Sequence, residues 1–93
     1  FRYGDGLFET ILYNNGQIQH LTDHIRRLKR GMKALGFEGI SGIMEEVVHY
    51  QILNVVRKNG IENQPVRVRL QVWRKPGGFY MPENLHFNLL ITA

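Results

Sequence analysis

The strongest constraint on the fold of this chain is the alternation of side chains from Pro65 to Trp73. Valine or leucine occupies every second position of this segment, and most of the positions between them hold arginine or glutamine. Because successive side chains of a β-strand point to opposite faces, the pattern predicts a strand with one apolar and one polar face. Such strands are typical of an antiparallel sheet that is covered on one side only.

Three further segments are predicted to be strands. Leu7 to Tyr13 is rich in aromatic, aliphatic and β-branched residues, and Gln17 to His20 returns as its partner. The turn between them is predicted at Asn14-Asn15-Gly16, since tight hairpins need residues that accept a positive φ. Leu85 to Thr92 is predicted to be the last strand, and Pro76-Gly77-Gly78 the loop before it.

Two helices are predicted between these pairs of strands. The first has apolar residues at helical spacing, a cap expected at Thr22 or Asp23, and an end at Gly36. Gly31 lies inside it at a cost of about 1 kcal/mol relative to alanine, so we expect a close packing contact there. The second is predicted from about Ser41 to Asn59. Its apolar residues are expected to face the core: Ile43, Met44, Val47, Val48, Ile52, Val55 and Val56.

The order strand, strand, helix, helix, strand, strand segregates the two kinds of element. The expected fold class is therefore α+β, a mostly antiparallel sheet with two helices packed on one face. The 93 residues are enough for a single domain. No stretch approaches the roughly 20 apolar residues of a membrane span. The absence of cysteine excludes disulfides and thiolate metal sites, and it is compatible with a cytoplasmic protein. The four histidines lack a metal-ligand spacing, so no metal site is expected.

The formal charge of +4 raises the possibility of a nucleic-acid partner. Arg67, Arg69, Gln71 and Trp73 would share the polar face of one strand, where bases could stack and phosphates could be neutralised. The basic residues are otherwise dispersed, and a solvated basic face is the simpler interpretation. A domain used only for packing or dimerisation is a third interpretation.

Two motifs concentrate the polar chemistry. Tyr3-Gly4-Asp5-Gly6-Leu7-Phe8-Glu9-Thr10 begins with a glycine-rich turn, which by itself is a strand-entry turn. His24-Ile25-Arg26-Arg27-Leu28 opens the first helix, and its two arginines point roughly 100° apart. Arg27 lies nearer the edge of the apolar stripe. It could extend to solvent, pair with an acid or hold an anion.

Together these motifs resemble the start of the fold-type IV pyridoxal-phosphate (PLP) enzymes. This family includes branched-chain and D-amino-acid aminotransferases and 4-amino-4-deoxychorismate lyase. The resemblance implies that residues 1–93 are the N-terminal domain of a longer two-domain enzyme. PLP would be its cofactor and an amino acid or an aminodeoxychorismate-type molecule its substrate. The resemblance also implies a homodimer, with aminotransferase activity favoured and the lyase as the alternative.

The resemblance also assigns roles to residues of this chain. Arg27 would bind the PLP phosphate, and His24 would support the site by hydrogen bonding. Alternate side chains of the first strand (Phe8, Thr10 and Leu12) would face the substrate, and Tyr80 of the later loop would contact it. No catalytic residue is assigned here, because the Schiff-base lysine is expected in the second domain. The chain alone is therefore expected to be inactive. The lysines present match no such motif: Lys29, Lys33, Lys58 and Lys75.

Overall fold

The structure, a computed structural model, describes residues 2–3, 6–74 and 87–93, with only the backbone described for the first pair. It contains two α-helices, α1 (Leu21–Ala34) and α2 (Glu45–Lys58), with a 3₁₀ turn at Ile40–Gly42 between them. The strands are β1 (Arg2–Tyr3), β2 (Gly6–Asn14), β3 (Gln17–Ile18), β4 (Val66–Arg74) and β5 (Phe87–Thr92). The expected α+β class is confirmed, and β1 is an addition to the expected strands.

All strand pairs are antiparallel, and the sheet runs in the order β1-β2-β4-β5. On the other side of β2 from β4, the two short strands pair with opposite ends of β2. The pairing with β1 ends at Leu7, and the pairing with β3 begins at Tyr13. Within the described residues, the middle of β2 therefore has a neighbouring strand on the β4 side only. We call the space between β1 and β3 the gap.

Both helices pack on one face of this sheet and form a single hydrophobic core with it. Val68, Leu70 and Val72 of β4 are fully buried in this core, which confirms the alternation seen in the sequence. The helices contribute stripes of buried residues at helical spacing. These are Leu21, Ile25, Leu28 and Met32 of α1 and Val48, Ile52 and Val56 of α2. The opposite face of the sheet carries no helix of the described chain, and we call it the uncovered face.

The sequence predicted the end of α1 correctly but not its start. The helix begins one residue before the expected caps, after His20 in a left-handed conformation with φ of 55°. The cap prediction was wrong because Thr22 lies inside the first turn, where its hydroxyl donates to Glu45 Oε2 at 2.7 Å instead. The predicted end at Gly36 is confirmed. Gly36 has φ of 77°, and its N–H donates to the carbonyl of Lys33.

The helix α2 is shorter than predicted, and part of its predicted inner face was wrong. Ile43 is buried but precedes the helix, whereas Met44 and Val47 are 53% and 48% exposed. The buried stripe of α2 follows an i, i+4, i+8 series, so a residue next to that stripe in sequence lies about 100° away from it. The predicted end is confirmed by Gly60, whose φ is 68°.

Two glycines allow close packing against β2 and β4. A Cβ on Gly31 of α1 would lie 3.2 Å from Leu7 Cδ1, which confirms the predicted close contact inside the helix. A Cβ on Gly6 would lie only 2.5 Å from the carbonyl oxygen of Val72. Real Cβ atoms do not approach so closely, so β2 can enter beside β4 only with glycine at this position.

The predictions for the last part of the chain are tested only in part. The predicted last strand is present over its described part, Phe87–Thr92, and Leu85 and the Pro76–Gly78 loop lie outside the described residues. The partner strand β3 ends at Ile18, two residues before the predicted end at His20. In the part of the chain that the structure describes, no helix has the length and apolar character to cross a membrane.

The buried stripe of α2 predicts unequal costs for two identical substitutions at adjacent positions. Val48 is 2% exposed and Val47 is 48% exposed. Val48→Ala removes core contacts and should destabilise the protein by about 2 kcal/mol. Val47→Ala should change the free energy of unfolding by about 0.5 kcal/mol or less. Urea unfolding followed by circular dichroism measures both, and equal losses would contradict the packing described here.

Candidate functional site

A buried carboxylate lies at the centre of β2. Glu9 is 4% exposed and belongs to the face of the strand that meets the helices, between the apolar residues Leu7 and Ile11. Among the described residues it is the only buried charged one. A carboxylate removed from water is costly unless hydrogen-bond donors satisfy it. Glu9 therefore requires partners from the helix packed against it.

Helix α1 supplies those partners from one face. Arg27 donates from Nη2 to Glu9 Oε1 at 2.7 Å and from Nε to Glu9 Oε2 at 3.0 Å. His24 Nδ1 lies 2.7 Å from the same Oε1, a distance at which the ring nitrogen must donate its proton to the carboxylate. The i, i+3 spacing of His24 and Arg27 places both side chains over β2. The three side chains form what we call the Glu9 cluster.

The hydrogen bonds within this cluster favour the ionised forms of Glu9 and Arg27. Burial raises the pKa of Glu9, but the hydrogen bonds from Arg27 and His24 outweigh it, and the pKa lies below the ordinary value of a glutamate. The hydrogen bond to Glu9 in turn raises the pKa of Arg27. Both groups are therefore ionised at neutral pH.

Arg27 has a second edge that Glu9 does not use. Its side chain is 65% exposed, and Glu9 occupies only the edge formed by Nε and Nη2. Among the described residues, nothing accepts a hydrogen bond from Nη1. A planar guanidinium can donate in parallel from each of two edges, and the edge formed by Nη1 and Nη2 suits a second oxyanion.

A cleft of about 440 Å³ is lined by Phe8, Glu9, Thr10 and Arg27. It lies at the gap beside β2. The carbonyl of Leu12 faces the β3 side, where it accepts the N–H of Gln19 at 2.8 Å. Because N–H and C=O groups of alternate residues point the same way in an antiparallel strand, those of Thr10 point into the gap. The cleft thus combines a cationic edge with backbone polar groups.

The uncovered face of the sheet forms the other side of the cleft. Thr10 is exposed, Leu12 is 52% exposed and Phe8 is half-buried on this face. In β4, Arg69 lies directly opposite Thr10, and its Cζ is 3.9 Å from the centroid of the Phe8 ring. The polar face expected for β4 is present, with exposed Arg67 and Arg69. A nucleic-acid partner for that face stays the less favoured alternative.

The structure brings most of the predicted site residues together. Phe8, Thr10 and Arg27 line one cleft, and His24 holds the acid beside it. Leu12 is not among the lining residues and lies further along β2, opposite Arg67. Tyr80 lies outside the described residues. The binding roles of these residues stay predictions.

Sequence reasoning missed Glu9. Its position in the sequence could have revealed it. Glu9 is one of the alternate residues of β2 that face the core, and the neighbouring residues on that face, Leu7 and Ile11, are apolar. An acid on that face indicates a buried partner on the element packed above. Among the described residues, no group of three or more acidic, histidine or cysteine side chains is placed to hold a metal ion.

Comparison with known proteins identifies one sequence family. The family described as class IV amino-transferase matches residues 6–93, which is nearly the whole chain. Among the curated proteins, none is significantly similar to this chain in sequence.

Solved structures share the fold. A protein from Legionella pneumophila subsp. pneumophila str. Philadelphia 1, provisionally assigned as a 4-amino-4-deoxychorismate lyase, superposes with a TM-score of 0.74 at 22% identity, covering 96% of this chain and 32% of that one. The branched-chain aminotransferase of Thermoproteus uzoniensis, solved with norvaline, gives 0.70 at 28% identity, covering 97% and 31%. The branched-chain aminotransferase of Escherichia coli gives 0.70 at 18% identity, covering 97% and 30%. The chain thus spans about a third of the length of these proteins.

The lowered pKa of Glu9 predicts a pH-dependent contribution to stability. A group whose pKa is lower in the folded state stabilises the protein above its unfolded pKa, and this contribution is lost as the pH falls through the folded pKa. At pH 7 Glu9→Gln should cost about 1–2 kcal/mol, because the charged hydrogen bonds are weakened. This difference from the parent protein should shrink as the pH falls below about 4.

Thermal unfolding midpoints measured from pH 7 to pH 3 test this expectation. Glu46→Gln is the matched control, since Glu46 is an exposed glutamate in the first turn of α2. A difference between Glu9→Gln and the parent protein that stays constant over the whole pH range would contradict the role assigned to the cluster.

Proposed function

Since the chain belongs to the class IV amino-transferase family, we propose that it is the N-terminal domain of a PLP-dependent enzyme in which Arg27 binds the phosphate of PLP. The observation that carries this proposal is the second edge of Arg27. One edge is held by Glu9, Nη1 has no acceptor among the described residues, and Arg27 lines a cleft large enough for a phosphate group. The guanidinium is oriented before any ligand arrives.

The residues around the cleft fit a phosphate group chemically. A phosphate needs several donors within one small volume, and Arg27 Nη1 and the N–H and hydroxyl of Thr10 are of that kind. The nearby carboxylate of Glu9 would repel a phosphate if its charge were unscreened. Both of its oxygens instead accept hydrogen bonds from Arg27, and Oε1 also accepts one from His24. These hydrogen bonds would reduce the repulsion between Glu9 and a bound phosphate.

The residues of this domain would bind and orient while the cofactor supplies the chemistry. PLP provides an electron sink for bonds at the carbon that bears the substrate amine. Arg27 would hold its phosphate end, and Glu9 and His24 would keep the guanidinium in place. Phe8 and Thr10 would form the wall of the site on the uncovered face and limit access of water. The lysine that carries the cofactor is expected in the remainder of the protein.

The proposed activity is transamination of amino acids by a homodimeric cytoplasmic enzyme. The related structures also include a protein named as a 4-amino-4-deoxychorismate lyase. The second candidate activity is therefore cleavage of 4-amino-4-deoxychorismate to pyruvate and 4-aminobenzoate. Both activities would use the same phosphate site in this domain. Other parts of the protein would therefore decide between them.

The complete protein tests the proposal directly. Loading with PLP should produce a visible absorption band that amino donors change, and an aminotransferase should convert a 2-oxo acid to an amino acid. A lyase should instead release pyruvate together with 4-aminobenzoate. A folded protein that shows no visible band at saturating PLP would overturn the proposed function.

Replacing Arg27 should weaken PLP binding selectively. Arg27→Ala removes the donor edge at the cleft, and the dissociation constant for PLP should rise by about 10- to 100-fold. Arg27→Lys should restore only part of the affinity, because an ammonium cannot donate along a planar edge. Absorbance titration with PLP measures the dissociation constants.

The matched control is the neighbouring arginine of the same helix. Arg26 is 66% exposed, and in the part of the chain that the structure describes its one ion pair is with Asp23 at 3.4 Å. Arg26→Ala should leave PLP affinity within about twofold of the parent protein. Similar losses for the two alanine variants would show that overall positive charge, and not the oriented edge of Arg27, attracts the cofactor.

A further inference from the structure

A groove runs between α2 and the outer edge of the sheet, on the side that the helices cover. It has a volume of about 430 Å³ and shares no lining residue with the cleft at Arg27. Its walls are one face of α2 and the strand β5. Most of the lining side chains are apolar, among them Met44, Val47, Val48 and Val55 of α2 and Leu89 and Ile91 of β5. We call it the α2–β5 groove.

The hydrophobic core is only partly covered along this groove. Leu89 of β5 is paired with Val72 of β4, so both side chains point to the face that the helices cover. Val72 is fully buried, but Leu89 is only half-buried, and Val47 on the opposite wall is 48% exposed. A contiguous apolar strip of this kind at the edge of a core is typical of a surface that another protein element covers.

The strand β5 also presents an edge that pairs with no strand of residues 2–3, 6–74 and 87–93. It is the last strand in the order of the sheet, and β4 pairs with its other edge. Its six residues, Phe87–Thr92, include no charged residue and no proline. Edge strands that remain in water are usually protected by charges, prolines or bulges. The composition of β5 therefore indicates an edge that pairs with a further strand.

We propose that the α2–β5 groove is the surface on which a second copy of this chain docks, with the β5 strands of the two copies paired antiparallel. The inference rests on the homodimer of the proposed function and adds the surface that joins its protomers. A two-fold axis perpendicular to the sheet would pair the free N–H and C=O groups of each β5 with those of the other copy. The same axis would place the two α2 helices side by side and antiparallel.

The helix α2 suits an antiparallel copy of itself. Its groove residues form a single stripe at helical spacing: Met44, Val47, Val48, Gln51 and Val55. Its first turn is acidic, with Glu45 and Glu46, and its last turn is basic, with Arg57 and Lys58. An antiparallel pair brings the acidic end of each helix near the basic end of the other, whereas a parallel pair would bring like charges together. This charge distribution favours a second copy over a segment of unrelated sequence.

The residue Gln51 marks the expected position of the two-fold axis. It lies at the middle of α2 and lines the groove. A residue beside a two-fold axis meets its own copy, and two amide side chains can donate and accept hydrogen bonds with each other. The apolar residues near the start of one helix, Met44 and Val47, would then pack against Val55 near the end of the other.

A charge placed in the groove should separate the protomers. In the complete protein, Val47→Glu would bury a carboxylate without a partner, and the dissociation constant of the dimer should rise by about 100-fold or more. The matched control is Tyr50→Glu, because Tyr50 is 67% exposed on the same helix and does not line the groove. This control should leave the dissociation constant within about threefold of the parent value. Sedimentation velocity over a series of protein concentrations measures both.

Cross-linking tests the symmetry without a change of charge. Mild oxidation of Gln51→Cys in the complete protein should give a disulfide-linked dimer, because two copies of a residue beside the axis approach closely enough to be bridged. His49→Cys is the control, since His49 is exposed on α2 but does not line the groove. The parent protein, oxidised in the same way, shows any cross-link that arises elsewhere. The cysteine variants decide the question if Val47→Glu does not fold.

Several outcomes would overturn the inference and leave PLP-dependent activity intact. One is a monomeric parent protein that still shows the visible PLP band. Others are equal effects of Val47→Glu and Tyr50→Glu, no effect of either, and cross-linking of Gln51→Cys that does not exceed that of His49→Cys. A loss of thermal stability in Val47→Glu with an unchanged dimer dissociation constant would show that further chain of the same protomer covers the groove. A dimer that behaves as expected but shows no visible band at saturating PLP would instead remove the proposed function.

Discussion

The ion pair between Glu9 and Arg27 organises this structure, because it joins the inner face of the sheet to the first helix at the point where the site forms. Glu9 is buried among apolar side chains, and within the described ranges its hydrogen-bond partners are His24 and Arg27 of α1. That requirement fixes which face of α1 turns towards β2. It also explains why the helix carries a histidine and an arginine at i, i+3 spacing beside its apolar stripe. Under the proposed function, Arg27 would therefore serve both the packing of α1 on β2 and the binding of the ligand.

The two edges of the Arg27 guanidinium differ in their contacts. The edge towards Glu9 holds the side chain in place, and among the described residues nothing accepts a hydrogen bond from Nη1 of the other edge. An arginine on a solvated helix surface loses side-chain entropy when it binds an anion, whereas one already held by a carboxylate loses less. Under the proposed function, the buried acid would contribute to ligand binding by holding Arg27 in place. It is a positioning residue in this interpretation.

The two faces of the sheet also differ in what they contact. Its helix-side face forms the core, and its uncovered face presents Phe8, Thr10 and Arg69. The gap between β1 and β3 leaves backbone groups of β2 at the edge, where a continuous strand would have occupied them. The same architecture occurs in an aminotransferase solved with norvaline, and it makes up about a third of that protein.

Alternation and helical periodicity by themselves determined the order of elements, the buried face of β4 and the end of α1 at Gly36, because these depend on local backbone preferences. The two motifs also determined the family and placed Arg27, His24, Phe8 and Thr10 among the candidates. Only the tertiary structure decided that Glu9 lies under Arg27, that Arg69 stacks on Phe8 and that Met44 and Val47 face outwards. Those facts depend on which strand lies beside β2 and how each helix is rotated on the sheet. Contacts between residues 18 and 61 positions apart settle such questions, and no local pattern encodes them.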